Sequence, residues 1–319
     1  MPTRRSFLQS TAAVAAALSG ASALEAHGHP LAGNGSATEA TSPKPVAAAQ
    51  VPRMKFFDTE ISRMVLGVNP FCGYAHYNNN FSGAMKDWYT PERVCAVMHE
   101  STRYGINAFN YVALERLPQD WLRFVSEGGK MHLIMQVLSD DEDTARLAKA
   151  LKPLAMFRQG EVTDIAYRSG TMNTVREWCK KVRDMGIIVG VGTHKPEVIS
   201  QVEDEGWDVD FYAGCVYNRT RTREEWKKVL NGEIMEMENE IYVQSDPPRM
   251  YSVMRQTTKP CFAFKVLAAG RIADGGIEQA FRTAFSSIKP NDGILVGMFP
   301  RAKDEIRENA EIVRRILLG

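Results

Sequence analysis

The sequence predicts a (β/α)8 barrel, or TIM barrel, in one domain that runs from about residue 53 to residue 319. Short apolar runs alternate there with longer amphipathic stretches, and eight such runs can be counted. Near-continuous apolar runs are typical of parallel strands buried on both faces, and eightfold strand–helix alternation favours a closed barrel. A doubly wound open sheet is the alternative, but no GxGxxG motif follows the first strand.

The eight predicted strands share a high content of β-branched, aromatic and other apolar residues. They are Met64–Phe71, Asn107–Val112, His132–Ser139, Pro153–Gly160, Ile187–His194, Asp208–Asn218, Cys261–Gly270 and Gly293–Phe299.

Helical patterns fill several of the gaps. Thr90, Pro91 and Glu92 predict a helix start, with an N-cap, a proline in the first turn and an acid behind it, and Gly105 predicts its end. The same periodicity predicts helices over residues 173–185, 196–205, 276–288 and 302–318. A charged insertion at 219–248 follows the sixth strand, where it would cover the mouth of the barrel as a lid.

The N-terminus is typical of an export signal. Residues Thr3 to Leu8 (TRRSFL) resemble a twin-arginine motif, an alanine-rich apolar region follows, and Ala21 to Ala23 is an A-x-A cleavage site. The interpretation is a signal peptide over 1–26, a disordered linker over 27–52, export by the twin-arginine translocase and a periplasmic or other extracytoplasmic location. A frayed helix on a cytoplasmic protein is the alternative.

Charge and cysteine content restrict the function classes. The formal net charge is +1, so nothing indicates a nucleic-acid partner. The cysteines form no CxxC pair and lie in apolar segments, which predicts buried free thiols; they are Cys72, Cys95, Cys179, Cys215 and Cys261.

Four segments, in order along the domain, resemble the aldo/keto reductase family. They are Leu66–Phe71 (LGVNPF), Gly105–Asn110 (GINAFN), Gly190–Glu197 (GVGTHKPE), and Gly297 together with Glu308-Asn309 before the last helix. The resemblance implies a barrel that reduces carbonyl compounds with a nicotinamide cofactor, here possible as tightly bound NADP. The family uses an Asp, a Tyr, a Lys and a His at strand ends. The Asp position is Asn110, the Lys position is Gln136, the His position is Arg158 or Gln159, and Tyr111 stands near the Tyr position.

Polar residues at the carboxyl ends of barrel strands usually face the active site. The candidates are Asn69, Asn110, Gln136, Arg158, Gln159, His194, Tyr217, Asn218 and Lys265. Asn69, Tyr217 and Asn218 are the candidates for contacting a small-molecule substrate. Asparagines 78–80 and nearby aromatic residues suit a carbohydrate, although an ordinary exposed loop fits them too.

Four residues have a chemical role and a structural alternative. His194 suits a general acid or base, or else caps the helix from Pro196. Asp164 suits its acid–base partner, or else an N-cap. Arg158 suits a carboxylate or phosphate clamp, or else a pair with Glu161 or Asp164. Lys265 suits an amine nucleophile or base, or else an ion-paired charge.

The loops after the last two strands are where many barrels bind phosphate. The candidates there are Gly270, Arg271, Gly297 and Arg301, and the family resemblance adds Glu308 and Asn309. Cys72 and His76 have a C-x-x-x-H spacing, but no further ligand completes it, so no metal is predicted.

Three functions remain open from the sequence. One is an exported, aldo/keto-reductase-like enzyme acting on a small carbonyl or sugar-like compound. The second is a lyase, isomerase or hydrolase that uses His194, Lys265 and a nearby acid. The third is a non-catalytic binding protein on the same barrel.

Overall fold

A computed structural model describes residues 49–232 and 240–319. Its strands, in chain order, are β1 (Arg53–Phe56), β2 (Thr59–Ser62), β3 (Met64–Gly67), β4 (Ala108–Tyr111), β5 (His132–Val137), β6 (Ala155–Arg158), β7 (Ile188–Thr193), β8 (Phe211–Cys215), β9 (Cys261–Phe264) and β10 (Gly293–Gly297). Strands β3 to β10 are parallel and close in sequence order, with β10 beside β3. This confirms the predicted (β/α)8 barrel.

The helices on the outside are α1 (Asn79–Trp88), α2 (Pro91–Arg103), α3 (Leu117–Ser126), α4 (Glu142–Leu151), α5 (Gly160–Arg168), α6 (Met172–Asp184), α7 (Pro196–Asp204), α8 (Arg223–Leu230), α9 (Asp246–Gln256), α10 (Ile277–Ser287) and α11 (Glu305–Leu318). The five predicted helices are present within about three residues of their expected bounds. Thr90 caps α2 as predicted, since its side chain accepts a hydrogen bond from Arg93 N.

Several predicted strands are shorter in the structure. The first ends at Gly67, and Asn69–Cys72 forms a 3-10 helix. The sixth covers only Phe211–Cys215 of the predicted 208–218. The seventh ends at Phe264, so Lys265 follows the strand instead of lying inside it. The predicted strands are longer because the apolar pattern continues past the last ladder residue into the loops at this end of the barrel.

The sequence did not reveal the hairpin β1–β2, which lies across the amino-terminal end of the barrel. Met54, Phe56 and Ile61 are buried in one cluster with the inward-facing side chains of the strands, including Phe211 and Phe262. The ring of Phe56 lies 5.6 Å from that of Phe211 and 5.5 Å from that of Phe262. This end of the barrel is therefore filled with apolar side chains, and only the other end can hold a polar site.

The cysteines, the helix lengths and the extent of the described residues bear on the remaining predictions. All five cysteines are buried and free, as predicted. In residues 49–232 and 240–319, no helix is long and apolar enough to cross a membrane. The predicted signal peptide and linker lie outside the described residues, apart from the linker's last four positions, and so does part of the insertion, residues 233–239.

Candidate active site

A cavity of about 960 Å³ opens at the carboxyl end of the barrel strands. Its floor is formed by inward-facing residues at the strand ends, among them Asn110, Gln136 and Phe264. The walls come from the 3-10 helix after β3, from α1 and from the loops after β9 and β10. This is the end of the barrel at which TIM-barrel enzymes hold their active sites.

A buried histidine–carboxylate pair lies at the wall of this cavity. His194 directly follows β7 and is 3 % exposed, and Asp164 on α5 is fully buried. His194 Nδ1 lies 2.8 Å from Asp164 Oδ2, and the backbone N–H of His194 donates to the same carboxylate at 3.1 Å. Thr193 Oγ1 and Thr220 Oγ1 also donate to Asp164, at 2.5 and 2.9 Å. The structure thus brings the two predicted partners, His194 and Asp164, into direct contact.

The hydrogen bonds determine the protonation of the pair. Burial raises the pKa of Asp164, but the hydrogen bonds from His194, Thr193 and Thr220 outweigh it and hold that pKa below its ordinary value. Burial lowers the pKa of His194, and the positive charges of Arg219 and Lys265 lower it further. Asp164 raises this pKa, but by less. A carboxylate only accepts hydrogen bonds, so Nδ1 carries the proton of a neutral imidazole and Nε2 has a free lone pair.

Close packing fixes the position of the imidazole. Gly160 is the first residue of α5, and a Cβ atom built there would lie 3.0 Å from His194 Cε1. The ring of Phe264 meets His194 edge-on from β9, with 5.6 Å between ring centroids. These contacts restrict the ring to the plane in which it meets Asp164.

A second polar cluster centres on Glu240 and joins the insertion to the first strand–helix loop. Glu240 Oε1 lies 2.7 Å from His76 Nδ1 and 2.6 Å from Arg219 Nη2, and Glu240 Oε2 accepts from Tyr242 Oη at 2.7 Å. His76 Nε2 in turn lies 3.1 Å from Asn69 Nδ2. Burial lowers the pKa of His76 to about 4, with Lys265 acting in the same direction, so its neutral ring links Asn69 to Glu240.

Lys265 lies between the two clusters. Its side chain is 8 % exposed and lines the cavity, and its nearest carboxylate oxygen, Glu240 Oε2, is 3.9 Å from Nζ. Within residues 49–232 and 240–319, Nζ has no hydrogen-bond partner. Burial lowers the pKa of this amine to about 8, which the charge of Glu240 only partly opposes.

Two of the positions that the family resemblance assigns to reductase residues face the cavity. Asn110 is 7 % exposed and donates from Nδ2 to the carbonyl of Ile134 at 3.3 Å. Gln136 lines the cavity beside it. Tyr111 is fully buried and does not line the cavity, and burial raises the pKa of its phenol.

Three of the nine strand-end candidates do not line the cavity, which corrects their predicted roles. Arg158 follows the inward-facing Phe157, so it points outward, and its guanidinium lies 5.6 Å from the ring of Trp178 on α6. Tyr217 packs against Tyr242 with 5.0 Å between ring centroids. Asn218 accepts from Thr220 N and supports the loop. By contrast, Asn69 and Gln159 do line the cavity.

The predicted cofactor residues divide into two groups. Gly270, Gly297 and Asn309 line the cavity. Arg271 instead donates to the carbonyls of His76 and Glu240, each at 2.9 Å, and its guanidinium lies 4.2 Å from the Tyr242 ring. Arg301 is exposed and Glu308 pairs with Lys303 at 2.9 Å, and neither lines the cavity.

The site contains residues that sequence reasoning left out. Arg219 and Glu240 belong to the insertion, and His76 was considered only as a metal ligand. The contact between His76 and Glu240 joins positions 164 residues apart, and no local sequence pattern indicates it. Among the described residues, no group of three or more His, Cys, Asp or Glu side chains is placed to hold a metal ion.

Comparisons with known proteins give likeness only at the level of structure. No family model and no curated protein sequence matches the chain. One similar solved structure is Gox0644 in its apo form, with 10 % identity and a TM-score of 0.47 over 83 % of this chain and 93 % of that one. Another is the glycerol dehydrogenase AKR11B4 from Gluconobacter oxydans, with 13 % identity and a TM-score of 0.39 over 84 % of this chain and 96 % of that one.

Proposed function

We propose that this protein is a barrel enzyme that moves protons on a small, uncharged carbonyl or sugar-like compound, as an isomerase or lyase does. The observation that carries the proposal is the contact between His194 and Asp164 at the wall of the cavity. A neutral histidine that is oriented by a buried carboxylate is a general base near neutral pH.

The chemistry follows from the protonation of the pair. With Nδ1 hydrogen-bonded to Asp164, the lone pair of His194 Nε2 is available to take a proton from a carbon next to a carbonyl group or from a hydroxyl. Asp164 stabilises the imidazolium that forms, and His194 then returns the proton at a second position. Positioned acid–base groups of this kind accelerate reactions by about 10²–10⁴-fold.

The lining of the cavity indicates the class of substrate. Of the charged groups near the base, Arg219 is already paired within the protein, since it contacts both Glu161 and Glu240. Lys265 is the other, and its nearest carboxylate oxygen lies 3.9 Å away. Neutral amides and aromatic rings form much of the remaining surface, including Asn69, Gln136 and Phe264. This combination suits a neutral, hydroxylated ligand better than an anion.

The test is hydrogen exchange on candidate substrates. The mature protein is incubated in D2O with dihydroxyacetone, glyceraldehyde, ketohexoses and keto-glycosides, and proton NMR follows loss of the C–H signal next to the carbonyl. We expect exchange on at least one compound and its loss in His194→Asn. His99→Asn is the matched control, because His99 forms a surface pair with Glu127 at 3.0 Å. Absence of exchange across the panel, or equal exchange in His194→Asn, would contradict the proposal.

Nicotinamide-dependent reduction is the second candidate. The size of the cavity favours it, because about 960 Å³ lies near the upper end of ligand pockets. The charges do not fit NADP: Arg271 and Arg301 lie outside the lining, Lys303 pairs with Glu308, and Glu305 adds an acid. A mass spectrum of the purified protein that shows bound NADP would favour this candidate.

The same proposal includes a location. We propose that the chain is exported through the twin-arginine translocase and works outside the cytoplasm. The arginine pair, the apolar region and the cleavage site support this in sequence, and five buried free thiols are compatible with folding in a reducing compartment before export.

A further inference from the structure

The backbone holds Lys265 in an unusual position. It is the first residue after β9, and its φ is 60°, in the left-handed region that most residues avoid. Ala268 and Ala269 in the same loop also have left-handed φ values, 49° and 53°. Such conformations cluster where a fold has to present a particular side chain. Here the result is an amine that lines the cavity.

The amine is buried without full compensation of its charge. Glu240 is the nearest carboxylate, 3.9 Å from Nζ, but it already contacts His76, Arg219 and Tyr242 at 2.6–2.7 Å. Lys195 provides the contrast within the same rim: it is equally buried, but its Nζ donates to Glu225 at 3.3 Å. A buried ammonium with so little support readily gives up its proton.

We propose that Lys265 is a nucleophile that condenses with the carbonyl carbon of the substrate to form an imine. This inference deepens the proposed function and rests on it, because it names a ketone or aldehyde as the substrate class. It assigns Lys265 a covalent role beside the acid–base role of His194.

The step is balanced without any oxidant or reductant. The lone pair of Nζ forms a bond to the carbonyl carbon, and the π electrons of the carbonyl move to its oxygen. One proton passes from nitrogen to that oxygen and gives a neutral carbinolamine. A second proton, supplied by the solvent, lets the hydroxyl leave as water, and the nitrogen lone pair forms the C=N bond of an iminium ion, while His194 stays neutral.

The iminium explains why the two groups share one cavity. The cationic C=N group withdraws electrons more strongly than the parent carbonyl, so it acidifies the neighbouring C–H bond that His194 deprotonates. The two groups lie close together: both line the cavity, and the ring of Phe264, the residue before Lys265, packs against His194 with 5.6 Å between ring centroids. After proton transfer, water hydrolyses the imine and frees Lys265.

The experiment traps the imine by reduction. The mature protein is incubated at pH 8 with dihydroxyacetone or glycolaldehyde and sodium borohydride, and digested peptides are analysed by mass spectrometry. The Lys265 amine lines the cavity and is partly neutral at pH 8, whereas Lys195 pairs with Glu225 and does not line the cavity. We therefore expect adduct on Lys265 at least about tenfold above that on Lys195. Glu240→Gln removes the carboxylate that supports the ammonium, so the pH midpoint of trapping should fall in that variant.

The outcomes separate this inference from the proposed function. Lys265→Met and Lys265→Arg are both made, and circular dichroism shows which of them fold. Adduct on Lys265 no greater than on Lys195 overturns the inference, and so does deuterium exchange that persists unchanged in a folded Lys265 variant. In either case the acid–base proposal stands if His194→Asn still abolishes exchange. Specific adduct on Lys265 without any exchange supports the nucleophile and contradicts the proton-transfer function.

Discussion

At the scale of single residues, the site depends on how buried charges are compensated. Asp164 is fully buried but receives hydrogen bonds from two threonine hydroxyls, one imidazole and one backbone amide. These hydrogen bonds offset the cost of burying the carboxylate and keep it ionised. Lys265 is the opposite case, since its amine is buried beside a carboxylate already shared by three other groups. The fold therefore keeps one group charged and leaves the other reactive.

The first prediction concerns Asp164→Asn. The amide preserves size but can donate to Nδ1, which favours the imidazole tautomer with its proton on Nε2 and removes the base. We expect the exchange rate to fall by about 10²–10⁴-fold, the range of acid–base catalysis. Proton NMR in D2O measures it. Asp208→Asn is the matched control, because Asp208 pairs with Arg183 at 2.9 Å on the surface. Full activity in Asp164→Asn would show that the carboxylate does not set the tautomer.

The second prediction concerns acid stability. The pKa of His76 is about 4 in the folded protein and about 6.5 when unfolded, so between these values the unfolded chain binds more protons. The contribution of the neutral His76 ring to the free energy of unfolding is therefore fully present above about pH 6.5 and is lost as the pH drops toward 4. The lowered pKa of His194 acts in the same direction.

Urea unfolding at pH 7 and pH 5 measures this effect. We expect a loss on the order of 1–2 kcal/mol from His76 at the lower pH, and a further loss in the same direction from His194. His76→Gln should reduce the loss, and His99→Gln at the surface should not. A free energy of unfolding that stays constant between the two pH values would contradict the assignment of neutral histidines.

Part of the site was predictable from sequence because strand ends converge in a barrel. That rule placed Asn69, Asn110, Gln136 and His194 correctly around one cavity. It failed for Arg158, because a shift of one position along a strand turns a side chain from the interior to the helix layer. It also missed Glu240, since its partner His76 is supplied by tertiary packing alone.

At the scale of elements, the hairpin β1–β2 closes the end of the barrel opposite the site. Its burial alternates, with Met54 and Phe56 buried and Arg53 and Lys55 exposed. The eight barrel strands were predictable because both of their faces are buried and their sequences are apolar throughout. A four-residue strand with only two buried side chains gives a much weaker pattern.

The third prediction uses two adjacent phenylalanines. Phe56 is fully buried against Phe211 and Phe262, whereas Phe57 in the turn is 38 % exposed. We expect Phe56→Ala to lower the free energy of unfolding by about 3–5 kcal/mol, the usual range for a buried phenylalanine. Phe57→Ala, the control, should change it by less than about 1 kcal/mol.

Urea denaturation of both variants provides the measurement. Because the hairpin lies at the far end from the cavity, folded Phe56→Ala should retain its exchange activity. Equal stabilities for the two variants would show that the hairpin is not part of the barrel core.

At the scale of the whole molecule, a closed barrel contains no part that can be removed without opening the sheet. Each strand from β3 to β10 pairs with two neighbours, and β10 returns to β3. The chain therefore has to complete the ring before its buried thiols and its polar cluster are protected from water. A transporter that accepts only folded proteins would suit such a domain, and this gives the proposed export route a structural rationale.

The last prediction concerns that route. Arg4 and Arg5 lie outside the described residues, and their role rests on the sequence alone. If the pair is the recognition element of a twin-arginine signal, Arg4→Lys together with Arg5→Lys should keep the protein in the cytoplasm, although charge and length are unchanged. Fractionation followed by immunoblotting measures the distribution, and Arg53→Lys, on the exposed edge of β1, is the matched control. The retained protein should still be folded and should show the same exchange activity as the exported form, because the barrel and its site are complete without the signal. Export of the double variant at the normal level would remove the twin-arginine route, while leaving the proposed chemistry of His194 and Lys265 untouched.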